Sequence, residues 1–375
     1  MKTRLNILCY MTMILLGIYL SAYQNILSTI SQSYSINAAA VGILISLHFI
    51  GSLTAPLIFG EISDRTGKKS VVIISFCIMI SGLAAIFLSN GILMVAIGIF
   101  LIGNGFAVTE GVLTGVLADE NIGEAGRVIS MSQVFFCVGA VAGPLAALLT
   151  ERVSGSWKTI FLLLIVLFAV LLTNFARITI NKGKPSKDSG TGSKLISVKL
   201  FKEKAFVMLC ISMFIYVGIE EGVAFWLNTY FESSYELKAL GSYVLSIYWS
   251  GMIVGRYLAS RFSSKNTLFL KAGLLISLLF ITVPLIWRSE AIGIICFFGV
   301  GLGFSAVWPV LMSIIANRYP EYTGTAMGAM MTAGAGGGVA VPFLMGVIAN
   351  FTAISAAFWV IPVSVILILI LQSRA

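Results

Sequence analysis

Charge is what this sequence lacks. Of 375 residues only 10% are Asp, Glu, Lys or Arg, while 58% are apolar. The mean hydropathy is +1.01. A soluble globular domain carries about 25% charge and about half apolar residues, so an ordinary soluble domain is excluded. The low, even spread of charge also excludes a disordered chain and a nucleic-acid binder. Histidine is scarcer still. His48 is the only one, and it cannot build a His-based metal site alone. The five cysteines, Cys9, Cys77, Cys137, Cys210 and Cys296, each lie in a different apolar block. An odd count without metal-ligand spacing reads as small apolar filler rather than a disulfide scaffold.

Nucleotide chemistry is missing as well. Thr66-Gly67-Lys68-Lys69-Ser70 has the flavour of a phosphate-binding loop. That loop needs Gly five residues before its Gly-Lys pair and Ser or Thr directly after the Lys. Ile62 holds the first position and Lys69 intervenes at the second. An ATP-driven pump is therefore not expected. With no nucleophile–base pair and no metal set, neither is an enzyme, and no cofactor is called for.

The apolar excess falls in blocks of about 20 residues, the length of helix that crosses a hydrocarbon core of ~30 Å. Twelve spans are read, at about 7–30, 38–60, 70–89, 91–118, 125–150, 157–179, 204–231, 239–261, 266–287, 291–316, 323–349 and 352–372. The start, Lys2-Thr3-Arg4 before an apolar run, has the look of a signal peptide. The run continues to about Ile30 and carries Gln24 and Asn25, so it reads as a retained first span. Residues 181–203 are rich in Gly, Ser, Pro and Lys, as a solvated linker is. The expected organisation is an N-terminal six-helix bundle at 1–180, a cytoplasmic linker at 181–203 and a C-terminal six-helix bundle at 204–375.

The net charge of +9 follows from topology. With both termini in the cytoplasm, 20 basic residues fall on the inside and 4, Arg152, Lys158, Lys238 and Arg288, on the outside. Positive residues mark cytoplasmic loops. A multi-pass protein of the plasma or inner membrane is the expectation.

The chain also repeats itself. At a shift of 198, Gly103, Gly105 and Phe106 fall on Gly301, Gly303 and Phe304, Gly126 on Gly324, and Pro144 on Pro342. At a shift of 200, Ser46 and Gly51 fall on Ser246 and Gly251. Two six-helix halves with a cavity between them are one large transporter architecture.

A sharper signal follows the second span: Gly60-Glu61-Ile62-Ser63-Asp64-Arg65-Thr66-Gly67-Lys68-Lys69. This resembles the G-x-x-x-D-R-x-G-[RK]-[RK] motif of the major facilitator superfamily, with every defined position filled. A degenerate echo, Gly255-Arg256 and Arg261, follows span eight. The resemblance implies an all-α membrane protein of 12 transmembrane helices in two pseudo-symmetric bundles, monomeric by default. The motif has a physical rationale as a cytoplasmic latch. Gly60 permits close helix approach and Gly67 a tight turn. Asp64 faces a helix N-terminus, expected from span eleven. Arg65 is expected to pair with Asp119, and Arg127 adds a further basic group.

Ionisable groups at span centres are costly and usually functional. Four stand out for proton coupling: Glu110 in span four, Glu220 and Glu221 in span seven, and His48 in span two. The repeat places Trp308 opposite Glu110, so that carboxylate is not a scaffold feature. Adjacent helical residues point about 100° apart, so at most one of Glu220 and Glu221 faces a central cavity directly. Around them Tyr216, Trp226 and Asn228 offer rings and an amide for a sugar-like solute. Asn104 in span four and Trp308 in span ten are further candidate solute contacts.

A narrower resemblance lies in these segments. Gly103-x-Gly-x4-Glu110 and Tyr216-Val-Gly-Ile-Glu220 are similar to spans four and seven of the fucose–proton symporter family. That implies a proton-linked Glu110, a sugar-contacting Gln133 and uptake of a sugar with H+ or Na+. Some members carry an Asp in span one, where this chain has Gln24 and Asn25. A solute bound across Gln24, Asn25, Gln133 and Asn228 is the expectation. The alternative is a proton-coupled exporter of drugs or metabolites. Gly139-Ala-Val-Ala-Gly143-Pro144 in span five looks like part of the Gly-Pro motif of drug–proton antiporters, with Ser130 and Ala146-Ala147 departing from it.

Overall fold

In the computed structural model, residues 2–66, 68–121, 125–178, 200–235, 238–261, 266–287, 289–319 and 323–374 are described. They are helical almost throughout, with no strand among them. In a hydrocarbon core every backbone N–H and C=O must be satisfied within its own segment, and a helix does that.

Six long helices come first: α1 (Lys2–Tyr34), α2 (Ala38–Thr66), α3 (Lys68–Phe87), α4 (Ile92–Glu120), α5 (Ala125–Ser154) and α6 (Thr159–Arg177). The second group is α7 (Lys204–Tyr235), α8 (Lys238–Arg261), α9 (Asn266–Ile286), α10 (Glu290–Phe304), α11 (Val307–Arg318), α12 (Thr323–Phe351), α13 (Ile354–Ala357) and α14 (Val360–Arg374). The chain divides into two compact units, Met1–Ile36 with Ile43–Pro185, and Asn37–Gly42 with Ser186–Ala375. The expected linker at 181–203 lies largely outside the described residues.

Two spans that the sequence presents as continuous are interrupted. The tenth divides into α10 and α11 at Ser305–Ala306, and the twelfth into α13 and α14 at Phe358–Trp359. Proline is the cause in both. Pro309 and Pro362 have no N–H for the carbonyl four residues earlier, and their rings crowd it. Those carbonyls belong to Ser305 and Phe358, the residues at which the helices break. Pro144, Pro284 and Pro342 instead lie inside continuous helices.

Among the described residues, eleven helical stretches are long and apolar enough to cross a membrane. The long helix left out is α8. Ser242, Ser246, Ser250 and Arg256 lower its hydropathy, which is why the sequence reading gives twelve spans and this measure eleven.

Within each unit the helices approach closely at glycine. In the first, α1 packs along α5, and α3 along α4 and α6. A Cβ on Gly17 would collide with the Phe136 carbonyl, and one on Gly139 with the Ile14 carbonyl. In the second, α7 packs along α12, and α8 and α9 along α10. A Cβ on Gly337 would strike the Phe214 carbonyl. Backbones this near gain packing that lipid tails cannot supply. The outward faces carry exposed apolar side chains such as Ile97, Val166, Leu279, Ile295 and Val363. Polar groups are instead buried, including Gln24, Asn104, Glu220 and Asn228. That inversion is what a lipid solvent selects.

Helix ends are closed locally. The Asn37 side chain accepts the Ala40 N–H at 2.9 Å to cap α2. Gly155 ends α5 at φ +72°, a left-handed conformation that glycine adopts without a Cβ clash. Beyond the spans, Tyr319 after α11 donates its hydroxyl to Glu203 Oε2 at 2.8 Å, tying α11 to the start of α7. Burial and this acceptor hold the phenol above its usual range.

Candidate functional site

The first unit gathers two polar pairs. On α1, Tyr19 and Tyr23 lie one turn apart and both are buried, followed by buried Gln24 and Asn25. The Tyr19 hydroxyl is 3.3 Å from His48 Nδ1 on α2. The rings of Tyr23, Phe49 and Phe106 surround that imidazole. The second pair joins α4 to α5: Gln133 Nε2 donates to Glu110 Oε1 at 3.3 Å. Phe106 and Glu110 are four residues apart on α4, and Gln133 and Phe136 three apart on α5, so each couple shares a helix face. Phe106 also meets Phe136, with ring centres 6.2 Å apart. The two pairs thus occupy neighbouring turns on one side of α4 and α5.

Asn104 does something else. Its amide donates to the Gly51 carbonyl and to Thr54 Oγ1, each at 3.3 Å. It bridges α4 to α2, and those donors are committed to the scaffold.

In the second unit Glu220 is buried on α7 while its neighbour Glu221 is half-buried, as two residues pointing about 100° apart must differ. Arg256 of α8 places Nη2 3.8 Å from Glu220 Oε1. The Tyr248 hydroxyl donates to the Glu220 carbonyl at 3.4 Å. Tyr216 donates to the Phe304 carbonyl at 2.9 Å, closing a group that the end of α10 exposes. Trp226 is buried and donates Nε1–H to the Pro342 carbonyl of α12 at 3.0 Å, a packing role within the unit. Asn228 is buried against Gly241, where a Cβ would meet its side-chain oxygen. Trp308 is half-buried in the first turn of α11.

Part of the latch motif is visible. Asp119 pairs with Lys68, Nζ to Oδ2 at 2.6 Å. The expected partner was Arg65, whose side chain lies outside the described residues, as do those of Gly60 and Asp64 and all of Gly67. Lys68 reaches Asp119 because it opens α3, directly beside the end of α4. Lys69 donates to the Ala176 carbonyl at 2.8 Å, at the C-terminus of α6. A cation there meets the negative end of a helix. Arg127 is exposed at the start of α5.

Three groups escaped the sequence reading. Tyr19 and Tyr23 were missed although an i, i+4 aromatic couple directly before Gln24 is a visible signal. Arg256 was counted with the inner loops and the motif echo. It sits inside α8 with its side chain only 16% exposed. Tyr248, Met252 and Arg256 recur every four residues, so the arginine continues a buried stripe. That periodicity was the available clue. Among the described residues no cluster of His, Cys, Asp or Glu can hold a metal ion.

A helical membrane protein with duplicated bundles, buried ionisable pairs and a basic loop motif belongs to the transporter class. The pattern of the Major Facilitator Superfamily matches residues 8–342, and the chain belongs to that family. It is a multi-pass membrane transporter of small solutes, not an enzyme. A Helicobacter pylori protein provisionally named a glucose/galactose transporter is 24% identical over 316 residues, 78% of this chain and 76% of its own. The solved D-xylose-proton symporter shares the fold at TM-score 0.82 and 14% identity, covering 98% of this chain and 97% of its own. A variant of the E. coli fucose:proton symporter FucP does so at TM-score 0.69 and 16% identity, covering 98% of each.

Proposed function

We propose that this transporter takes up a small polar solute of the sugar class together with protons (or sodium ions), by alternating access. It would act as a monomer with both termini in the cytoplasm of a plasma or inner membrane. The observation that carries the reading is the Glu110–Gln133 pair, a half-buried carboxylate within α4 held at 3.3 Å by an amide. An amide can serve both forms of the acid. Its N–H₂ donates to the carboxylate, and its carbonyl accepts from the carboxylic acid. Gln133 is also suited to a sugar hydroxyl. Solute and Glu110 then compete for one partner, and that competition links proton binding to solute binding.

Glu220 is the second proton-exchanging acid in this reading, with Glu221 and His48 as lesser candidates. Gln24, Asn25 and Asn228 supply further hydrogen bonds for hydroxyl groups. The names of the similar proteins, glucose/galactose, D-xylose and fucose, support the sugar class. The Gly-Pro segment in α5, which resembles that of drug exporters, has a packing role here. Gly139 and Gly143 receive the Ile14 and Ile18 carbonyls of α1.

The test is flux into proteoliposomes under an imposed pH gradient, with hexoses and cationic dyes compared. Hexose-stimulated proton entry is expected. Dye accumulation without any hexose effect would instead establish export. Glu110→Gln should abolish gradient-driven accumulation while sparing counterflow exchange. Unaltered accumulation in that variant would remove Glu110 from coupling.

A further inference from the structure

We infer that Arg256 is the positioning counter-charge of Glu220, and that their pair clasps α7 to α8 beside the α10–α11 interruption until Glu220 takes up a proton. This rests on the proposed proton exchange at Glu220.

The geometry places both ends of the pair on the same break. On α7, Tyr216 stands one turn before Glu220 and donates to the Phe304 carbonyl at 2.9 Å. On α8, Gly255 precedes Arg256 and has no room for a Cβ, because Ser305 Oγ and the Leu302 carbonyl occupy that space. Phe304 ends α10, and Ser305 opens the interruption. Tyr248 adds a second tie between α7 and α8 through the Glu220 carbonyl. At the interruption Pro309 removes a helical hydrogen bond, so bending there costs less than in an intact helix.

The pair itself is poised rather than locked. At 3.8 Å it is within Coulombic reach and beyond a hydrogen bond. With side chains 16% and 9% exposed, water and salt screen it little. Among the described residues the other ionisable groups nearby are Tyr216 on α7, whose hydroxyl is within hydrogen-bond reach of the Glu220 carboxyl, Glu221 on α7 and Tyr248 on α8. The sequences of α12 and α13 contain none. In α10, α11 and α14 the charged residues are Glu290, Arg318 and Arg374, each at a helix end. Protonation turns the carboxylate into a neutral acid while the guanidinium keeps its charge. The attraction across α7 and α8 then falls, and the clasp opens where the backbone can bend.

The experiment is an infrared pH titration of the full chain in lipid, following the carboxylic-acid C=O stretch. The band lost in Glu220→Gln belongs to Glu220. In Arg256→Gln its midpoint should move about one pH unit higher, tenfold in proton affinity, and Arg256→Lys should bring it most of the way back. A Glu220 band with an unmoved midpoint would overturn the role of Arg256 and leave the acid in place. If Glu220→Gln removes no band, Glu220 exchanges no proton, and that part of the proposed function falls together with this inference. A second readout covers a variant that folds poorly. Each single substitution should lower the yield of monodisperse protein, because it strands a buried charge. The double Glu220→Gln/Arg256→Gln should restore it. Equal loss in singles and double would refute the pairing.

Discussion

In the first unit, a Cβ on Gly51 would meet the Phe100 carbonyl and the Asn104 nitrogen, and one on Gly103 the His48 carbonyl. In the second, a Cβ on Gly251 would meet the Phe298 carbonyl and the Leu302 nitrogen, and one on Gly301 the Tyr248 carbonyl. Every partner is displaced by the shifts of 198 and 200 that relate the two halves in sequence. Gly105 and Gly303 continue the match against α3 and α9. The helix crossings are thus the same twice over. The polar side chains set on them are not. His48 is answered by Tyr248, Asn104 by Leu302, and Glu110 by Trp308. The carboxylate of the first unit rests on an amide, and that of the second on a guanidinium. A duplicated scaffold keeps the residues that let backbones touch and is free to change those that carry chemistry, because only the former are fixed by van der Waals contact.

The comparison can be broken most severely at its carboxylates. Glu110→Gln should reduce gradient-driven solute accumulation in proteoliposomes to the level of empty vesicles, whereas Glu220→Gln should lower it and shift its pH dependence. Equal loss in the two would make the units functionally alike. Next come the crossings. Gly103→Leu and Gly301→Leu should each cost ~1–3 kcal/mol or more by overpacking, and by similar amounts, measured as loss of thermal stability in detergent. A large difference between them would show that the scaffold is not equivalent. Smaller is the effect of Tyr216→Phe, which leaves the Phe304 carbonyl without its donor, at about 1–3 kcal/mol. Tyr19→Phe, losing one hydrogen bond to His48, should cost about 1 kcal/mol. The least is expected from Lys68→Ala. Its pair with Asp119 is 27% and 49% exposed, so solvent screening limits it to below ~0.5 kcal/mol, and transport kinetics should register the change before stability does.

Much of the fold was legible because lipid imposes a simple rule. Apolar blocks of spanning length can only be helices, and Gly103, Gly105, Gly301 and Gly303 announce the repeat. The interruptions at Ser305 and Phe358 were missed, although Pro309 and Pro362 signal them, since a proline inside an apolar run either bends a helix or breaks it. Pro144 and Pro342 show the other outcome. The candidate site was legible in its acids, where an ionisable residue inside an apolar block stands out by its cost. It was not legible in its partners. Gln133 is named through a family likeness, Arg256 is counted with the cytoplasmic basic residues and the motif echo, and Tyr19 is passed over.

The sequence by itself determined that this chain is a duplicated helical membrane protein, that it carries the loop motif of a large transporter family, and which carboxylates sit away from the loops. Hydropathy, helix period and spacing are properties of one chain read in order, so they survive without coordinates. Only the tertiary structure decided that Glu220 faces Arg256, that Glu110 faces Gln133, that Asp119 pairs with Lys68, and that Asn104 and Trp226 donate to backbone carbonyls. Those outcomes depend on which face of each helix meets its neighbour and at what height. A shift of one residue rotates a side chain by about 100°, enough to exchange a partner for lipid.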